Sequence, residues 1–282
     1  MTEESILEAK DVWYSYEDND RFALQGLELH IKKGSRVAFV GANGSGKSTF
    51  FLCCNGILRP QRGELRFHGE PLAYSKKALL ALRAKVGIVF QDPDNQLFSA
   101  SVRQEISFGI LNLGAGEREA EAEVDRVMEA LEITPFQDQP VHALSGGQKK
   151  QVSVADILVM KPEIVILDEP AAALDPRHSR IVNEMIGKMT EQGITVIVST
   201  HDMDYAYSWA DEIVLMSGGR AVCQGRPEEV CRKKELLVRN NLEEPRLLRM
   251  FDCLTERGLI QAGAAAPRTW EALERLLGQT GK

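Results

Sequence analysis

The segment Gly41-Ala42-Asn43-Gly44-Ser45-Gly46-Lys47-Ser48-Thr49 fits the pattern G-x-x-x-x-G-K-[ST]. Its chemistry is anion binding. Glycines admit backbone conformations that turn successive N–H groups toward one point. A helix beginning near Lys47 adds its free N–H groups and the positive end of its dipole. Lys47 is placed to reach the β- and γ-phosphates of a nucleotide, and the Ser48 hydroxyl to ligate Mg²⁺. A second pair of reactive groups, Asp168-Glu169, ends the apolar run Ile164-Val165-Ile166-Leu167. Acids at such a position can hold Mg²⁺ (Asp168) and polarise an attacking water (Glu169).

Elements must position these groups. Arg36-Val37-Ala38-Phe39-Val40 reads as a short buried strand, and Phe50, Phe51, Leu52, Ile57 and Leu58 as an apolar helix after the loop. Strand, glycine loop and helix is the setting that the first motif requires. The unbroken apolar run before Asp168 suits a central parallel strand covered on both faces, whose C-terminal end is where open α/β sheets bind ligands. Leu144-Ser145-Gly146-Gly147-Gln148 precedes a helix expected from Lys149 onward, a second anion nest at a helix N-terminus. Ala120, Val124, Val127, Met128 and Leu131 recur at helical spacing, with the acids between Glu117 and Glu129 expected on the solvated face. From Lys161 to about Gln224 strands alternate with helices again, which implies a parallel sheet.

Composition narrows the classes. The charge of −7 gives no support for nucleic-acid binding, which needs clustered Lys and Arg. No apolar run approaches a membrane span and no apolar h-region follows the N-terminus, so neither insertion nor secretion is expected. The five cysteines show no metal spacing and fit thiols in a reducing compartment, Cys53 and Cys54 as packing residues.

The pentapeptide at 144–148 resembles the signature of the ATP-binding-cassette (ABC) ATPases, in which it binds the nucleotide of a partner subunit. The likeness extends over roughly residues 5 to 230. It implies a P-loop, RecA-like α/β core with a parallel sheet, a helical subdomain carrying the signature, and a small C-terminal extension. The expected boundaries are 1–91 and 161–225 for the two parts of the core, 92–160 for the helical part and 226–282 for the extension. By the same resemblance Gln91 is the Q-loop glutamine that contacts Mg²⁺ and the attacking water. Ala172-Ala173-Leu174-Asp175 is the D-loop at the dimer seam, and His201 touches the γ-phosphate. Tyr16 stacks on adenine, with Tyr14 the second choice. Residues 41–49, Ser145, Gly146, Gly147, Gln148 and Asp175 then contact ATP. Lys47, Gln91, Glu169 and His201 act in hydrolysis, and Ser48, Gln91 and Asp168 hold Mg²⁺.

Gln91-Asp92-Pro93-Asp94-Asn95-Gln96-Leu97-Phe98, with Glu105-Ile106-Ser107-Phe108-Gly109 beyond it, resembles the energy-coupling-factor transporter ATPases, the cobalt and nickel type above all. That likeness implies a second ATPase cassette, identical or paralogous, a transmembrane scaffold, a substrate-capturing membrane subunit, and a place on the cytoplasmic face of the cell membrane. The cargo is then cobalt, nickel or a vitamin. The rival classes are a non-transport ABC ATPase acting on nucleic acid or ribosomes, and a regulatory ATP-binding module. The first normally carries a long coiled-coil insertion or a second cassette, and the second has lost one of Lys47, Glu169 or His201; neither is the case here. Two departures from the family pattern stand in the signature helix: Lys149-Lys150-Gln151 and Asp156. In the tail, Thr269 is placed to cap a helix bearing Trp270, Leu273, Leu276 and Leu277, either a dimerisation element or a helix docked on its own chain.

Overall fold

The computed structural model describes residues 4–16, 22–171, 174 and 176–279. Along the chain run β1 (Ser5–Tyr14), β2 (Leu24–Lys32), β3 (Arg36–Val40), α1 (Lys47–Cys54), β4 (Arg62–Phe67), β5 (Glu70–Pro71), α2 (Lys76–Lys85) and β6 (Val86–Val89). Then come α3 (Val102–Asn112), α4 (Glu117–Ala130), α5 (Gly146–Leu158), β7 (Ile164–Asp168), α6 (Pro176–Glu191) and β8 (Thr195–Ser199). The chain continues with α7 (Met203–Trp209), β9 (Glu212–Ser217), β10 (Arg220–Gly225), α8 (Pro227–Cys231), α9 (Lys234–Arg239), α10 (Arg246–Glu256) and α11 (Trp270–Gln279).

Two sheets organise these elements. One is antiparallel, in the order β2-β1-β4-β5. The other has the order β10-β9-β3-β8-β7-β6 and is parallel from β9 to β6. The parallel set follows from apolar strands covered on both faces. Along β3, Val37 and Phe39 enter a core shared with β1, β2 and α1, while Ala38 and Val40 enter one shared with α7 to α11. Along β7, Ile164 and Ile166 join the first of these cores, and Val165 and Leu167 a third, built with α3, α4, α5 and α6. β10 departs from the expected parallel pattern. It is joined to β9 by the short turn through Gly218 and Gly219, too short for a crossover, so it returns antiparallel.

Beyond its first turn of Lys47, Ser48 and Thr49, the helix after the glycine loop is apolar because it is packed into the core: Phe50, Phe51, Cys53 and Cys54 are fully buried. Phe39 of β3 stacks on Phe50 and meets Phe51 edge-on, with centroids 5.5 and 5.2 Å apart. The left-handed Gly56 (φ 70°) follows the end of α1, so Ile57 and Leu58 lie beyond it rather than in it.

The acids of α4 do not all face solvent, as their spacing suggested. Glu123 is buried, where Arg126 and Lys161 both pair with it. Burial alone would raise its pKa, but the two cations outweigh that and lower it. At the C-terminus, Thr269 caps α11 by accepting from the Ala272 N–H. Leu273 and Leu276 dock on the chain's own core, whereas Trp270 and Leu277 stay exposed. The buried stripe is centred on 273 and 276, and positions 270 and 277 fall at its edge. Cys53, Cys54, Cys223 and Cys231 are buried free thiols, and Cys253 on α10 is exposed. Burial pushes Cys53 and Cys231 up to about 12.

Candidate functional site

Parallel register decides where the chemistry gathers. Val89 pairs with Leu167, Asp168 with Ser199, and Phe39 with Ser199, so the C-terminal ends of β6, β7, β8 and β3 are level. Four segments distant in sequence leave the sheet at this one rim: residues 41–49, Phe90–Gln91, Asp168–Glu169 and Ser199–His201. It is the edge at which open α/β sheets bind ligands.

The glycine loop is shaped as a cradle. Gly41 adopts φ 147°, and a Cβ there would collide with the Met216 carbonyl oxygen. Gly46 adopts φ 104° as the residue before α1, and its Cβ would lie 2.7 Å from the Ala23 oxygen. Only glycine fits either place. Lys47 is 7% exposed, and its Nζ donates to the Gly41 and Ala42 carbonyls (2.8 and 3.2 Å). Burial lowers its pKa, against the opposing pull of Glu169 and Asp168, which places both acids within electrostatic reach. Asn43, Gly44 and the Ser48 side chain are exposed at the rim, while Ser45 and Thr49 are buried. The Tyr16 hydroxyl lies 3.1 Å from Thr49 Oγ1, and its exposed ring meets Tyr14 edge-on.

Across the rim, one residue unassigned in the sequence reading organises both acids. The Ser199 hydroxyl donates to Asp168 Oδ1 and accepts from the Glu169 N–H at 2.9 Å. Its only sequence signal is its place at the end of an apolar strand, level with Asp168. Glu169 holds a left-handed backbone (φ 47°), a conformation that costs a non-glycine residue about 1 kcal/mol or more and recurs at functional positions. Its carboxylate meets His201 Nδ1 at 3.0 Å. A cavity of about 420 Å³ opens beside this pair, lined also by Ser179, Asn183 and Tyr205.

Gln91 is exposed and lines a second cavity, of about 570 Å³, with Asp168, Lys150 and Gly146. Gly146 opens α5, three residues earlier than the sequence suggested. Ser145 is its N-cap, accepting from the Gln148 N–H, while the Gln148 side chain accepts from the Ser145 N–H (3.3 and 3.0 Å). This capping box starts the helix at the glycines. Ser145 and Gly146 are exposed, and Gly147 is buried. Ala172, Ala173 and Asp175 lie outside the described residues.

The donors suit Mg²⁺. Ser48, Asp168 and Gln91 offer hard oxygens. Among the described residues no cluster of His, Cys, Asp and Glu could hold a metal by itself. Mg²⁺ keeps waters and takes phosphate oxygens, needing one or two protein ligands only.

Fold and rim together are those of a phosphate-loop α/β nucleotide-binding protein. The model of the ABC transporter family matches residues 24–172. The energy-coupling factor transporter ATP-binding protein EcfA3 of Clostridium perfringens is 44% identical over 256 residues, 90% of each chain. An ABC transporter ATP-binding protein of Methanosarcina mazei is also 44% identical, over 94% of this chain, which spans 58% of that longer protein. Among solved structures, CbiO1 of Clostridium perfringens, part of the ABC transporter complex CbiONQ, superposes with a TM-score of 0.74 at 43% identity, over 90% of this chain and all of that one. The ATP-binding cassette MJ0796, a dimer bound to ADP and phosphate, gives 0.72 at 25% identity, covering 79% and 99%. The chain belongs to the ABC transporter family as an ATP-binding ATPase subunit of the energy-coupling-factor type.

Proposed function

We propose that two such cassettes, identical or paralogous, close face to face over two ATP molecules, and that their closing drives uptake through separate membrane subunits. In this reading each ATP lies between one chain's phosphate loop and the other chain's Ser145, Gly146, Gly147 and Gln148, with Asp175 crossing the seam. The observation that carries it is the pair of helix N-termini. That of α1 is folded into the rim with Lys47, while that of α5 exposes Ser145 and Gly146. A helix N-terminus offers free N–H groups to an anion, and the outward one calls for a nucleotide brought by another chain.

Within that sandwich Lys47 and residues 41–49 bind the phosphates, and Tyr16 stacks on adenine. Ser48, Asp168 and Gln91 hold Mg²⁺, whose charge when bound offsets that of the phosphates. Glu169 orients and deprotonates the attacking water, and His201 contacts the γ-phosphate. The 3.0 Å contact between Glu169 and His201 supports their acting together. Ser199 keeps both acids at the rim. Enclosure between two chains excludes water and aims donors at the developing phosphoryl charge.

No helix among the described residues is long and apolar enough to cross a membrane. We place the chain at the cytoplasmic face of the cell membrane, bound to a scaffold and a substrate-capturing subunit, with cobalt or nickel ions as cargo and a vitamin as the alternative.

Glu169→Gln tests the reaction: it should trap an ATP-bound dimer and abolish most turnover, and normal turnover in that variant refutes the assignment of the base. Affinity purification of the tagged chain from solubilised membranes tests the transport role. Recovery of a polytopic scaffold supports it, and recovery of soluble partners alone overturns it.

A further inference from the structure

The backbone at Phe90, on the rim, is tied to a single helix through both its N–H and its carbonyl. The Phe90 N–H donates to Gln96 Oε1 (3.4 Å), and Gln96 Nε2 passes the connection on, donating to the Ser153 carbonyl (2.8 Å) and to Asp156 Oδ2 (3.1 Å). On the other side, Lys150 Nζ donates to the carbonyls of Phe90 (2.8 Å) and Gln91 (2.9 Å). Lys150, Ser153 and Asp156 all belong to α5, the helix that begins beside Ser145. The rest of the segment is fastened too. Lys149 pairs with Asp94 at 2.6 Å, and the Glu105 carboxylate of α3 accepts from the Phe98 and Ser99 N–H groups. Residues 90–99 thus form a strap riveted to α5 and, at its far end, to α3, running from Gln91 at the rim to Phe98, whose exposed ring packs edge-on against Phe108. Gln96 and Asp156 have no part in the nucleotide site described above, and Asp156 is one of the two departures in the signature helix.

We propose that Asp156 and Gln96 are positioning residues for ATP hydrolysis: through the Phe90 N–H they lock the backbone at Phe90, and with it the adjoining Gln91, to α5, so that Gln91 and the signature residues at 145–148 move as one body. The inference rests on the ATPase reading of the site. It also carries a pH dependence. Ionised, Asp156 accepts a charge-assisted hydrogen bond from Gln96; protonated, it accepts a weaker, neutral one. Partial burial, with Glu105 repelling from α3, pushes Asp156 up to about 7, so the change falls near neutral pH. Gln96 on the strap and Ser153 on α5 itself are neutral, and Lys150 is turned to the Phe90 and Gln91 carbonyls. The lock is therefore tighter above pH 7 and looser below it.

The test is hydrogen–deuterium exchange of the full-length chain across residues 89–98 between pH 6 and 8, corrected for intrinsic rates, beside steady-state ATPase kinetics. Losing a hydrogen bond of about 1.4 kcal/mol should cost the Phe90 amide about tenfold in protection in Gln96→Leu and Asp156→Leu. Wild type should gain protection as pH rises through about 7, whereas Asp156→Asn, a neutral acceptor throughout, should stay flat. In turnover, the Leu variants should lose about tenfold in kcat with KM for ATP nearly unchanged, since neither side chain touches the nucleotide. Unaltered protection in both Leu variants overturns the proposal, as does a wild-type pH course identical to that of Asp156→Asn. If the Leu variants fail to fold, the comparison of wild type with Asp156→Asn decides alone. Exchange makes no use of turnover, so a chain with an intact lock and no ATPase activity would refute the proposed function and leave the lock standing.

Discussion

The two helix N-termini of this chain share a chemistry and differ in almost everything around it. α1 starts from a left-handed Gly46 with no side-chain cap, and the rim supplies a buried lysine beside it. α5 starts from Ser145 with a complete capping box and points outward. The first is an anion cradle in its own right. The second is a stable helix end that has already met one of its own donors and leaves the others for a visitor. In the proposed reading a single chain therefore carries one site and a complement to that of a second cassette, identical or paralogous, so that the device needs two cassettes to work.

Substitutions can break this contrast. The largest effect is expected for Lys47→Ala, which should weaken ATP binding by the isolated chain about a thousandfold by removing a charge-assisted contact to the phosphates. Equilibrium titration with a fluorescent ATP analogue checks it. Ser145→Arg should leave that isolated-chain affinity within about twofold, yet cut turnover about a hundredfold by obstructing the partner's nucleotide. If both variants lost affinity alike, the two ends would belong to one site and the contrast would collapse.

A smaller effect separates the regions by charge. The acids of the rim have a lysine, a serine and a histidine beside them, whereas Asp156 sits partly buried among the helices near Glu105, with Gln96 as its neutral donor. Its folded-state pKa of about 7 lies above the ordinary value of 3.8. Between those values the folded chain keeps a proton that the unfolded chain releases, so this residue's contribution to stability declines as pH rises through that window. Asp156→Asn should be more stable than wild type by about 1–3 kcal/mol at pH 8, the gap closing toward pH 4, as read by denaturant melts at several pH values. The smallest effect is that of Ser145→Ala, which loses a cap worth about 1 kcal/mol. A melting temperature lower by about 2–4 °C would register it.

What the sequence disclosed and what it withheld divide by distance along the chain. The glycine loop, its strand and its helix occupy neighbouring positions, so their pattern is local and readable from Arg36 to Cys54. The central strand before Asp168 is likewise announced by four apolar residues in a row. The α/β class followed from these alone. Ser199 is different, because its value depends on standing level with Asp168 in an adjacent strand, a register no local pattern encodes. The strap is harder still. Gln96 meets Ser153 and Asp156 across 57 and 60 residues, and Asp156 stood out in the sequence only as a departure in the signature helix. Periodicity misled at Glu123, which looked solvated until Lys161 arrived from beyond the next helix to join Arg126. It also overstated the face of α11, where docking selects Leu273 and Leu276 from four apolar candidates.

The cysteines give the chain an optical handle that needs no engineering. Cys53, Cys54, Cys223 and Cys231 are sealed in the interior, and the raised pKa of Cys53 and Cys231 leaves them almost no thiolate at neutral pH. A maleimide dye added to the native chain should therefore settle on Cys253, exposed on α10. In the proposed sandwich, when built from two identical cassettes, copies carrying donor and acceptor dyes at that one position would report, through energy transfer, each approach and parting of the pair as nucleotide comes and goes.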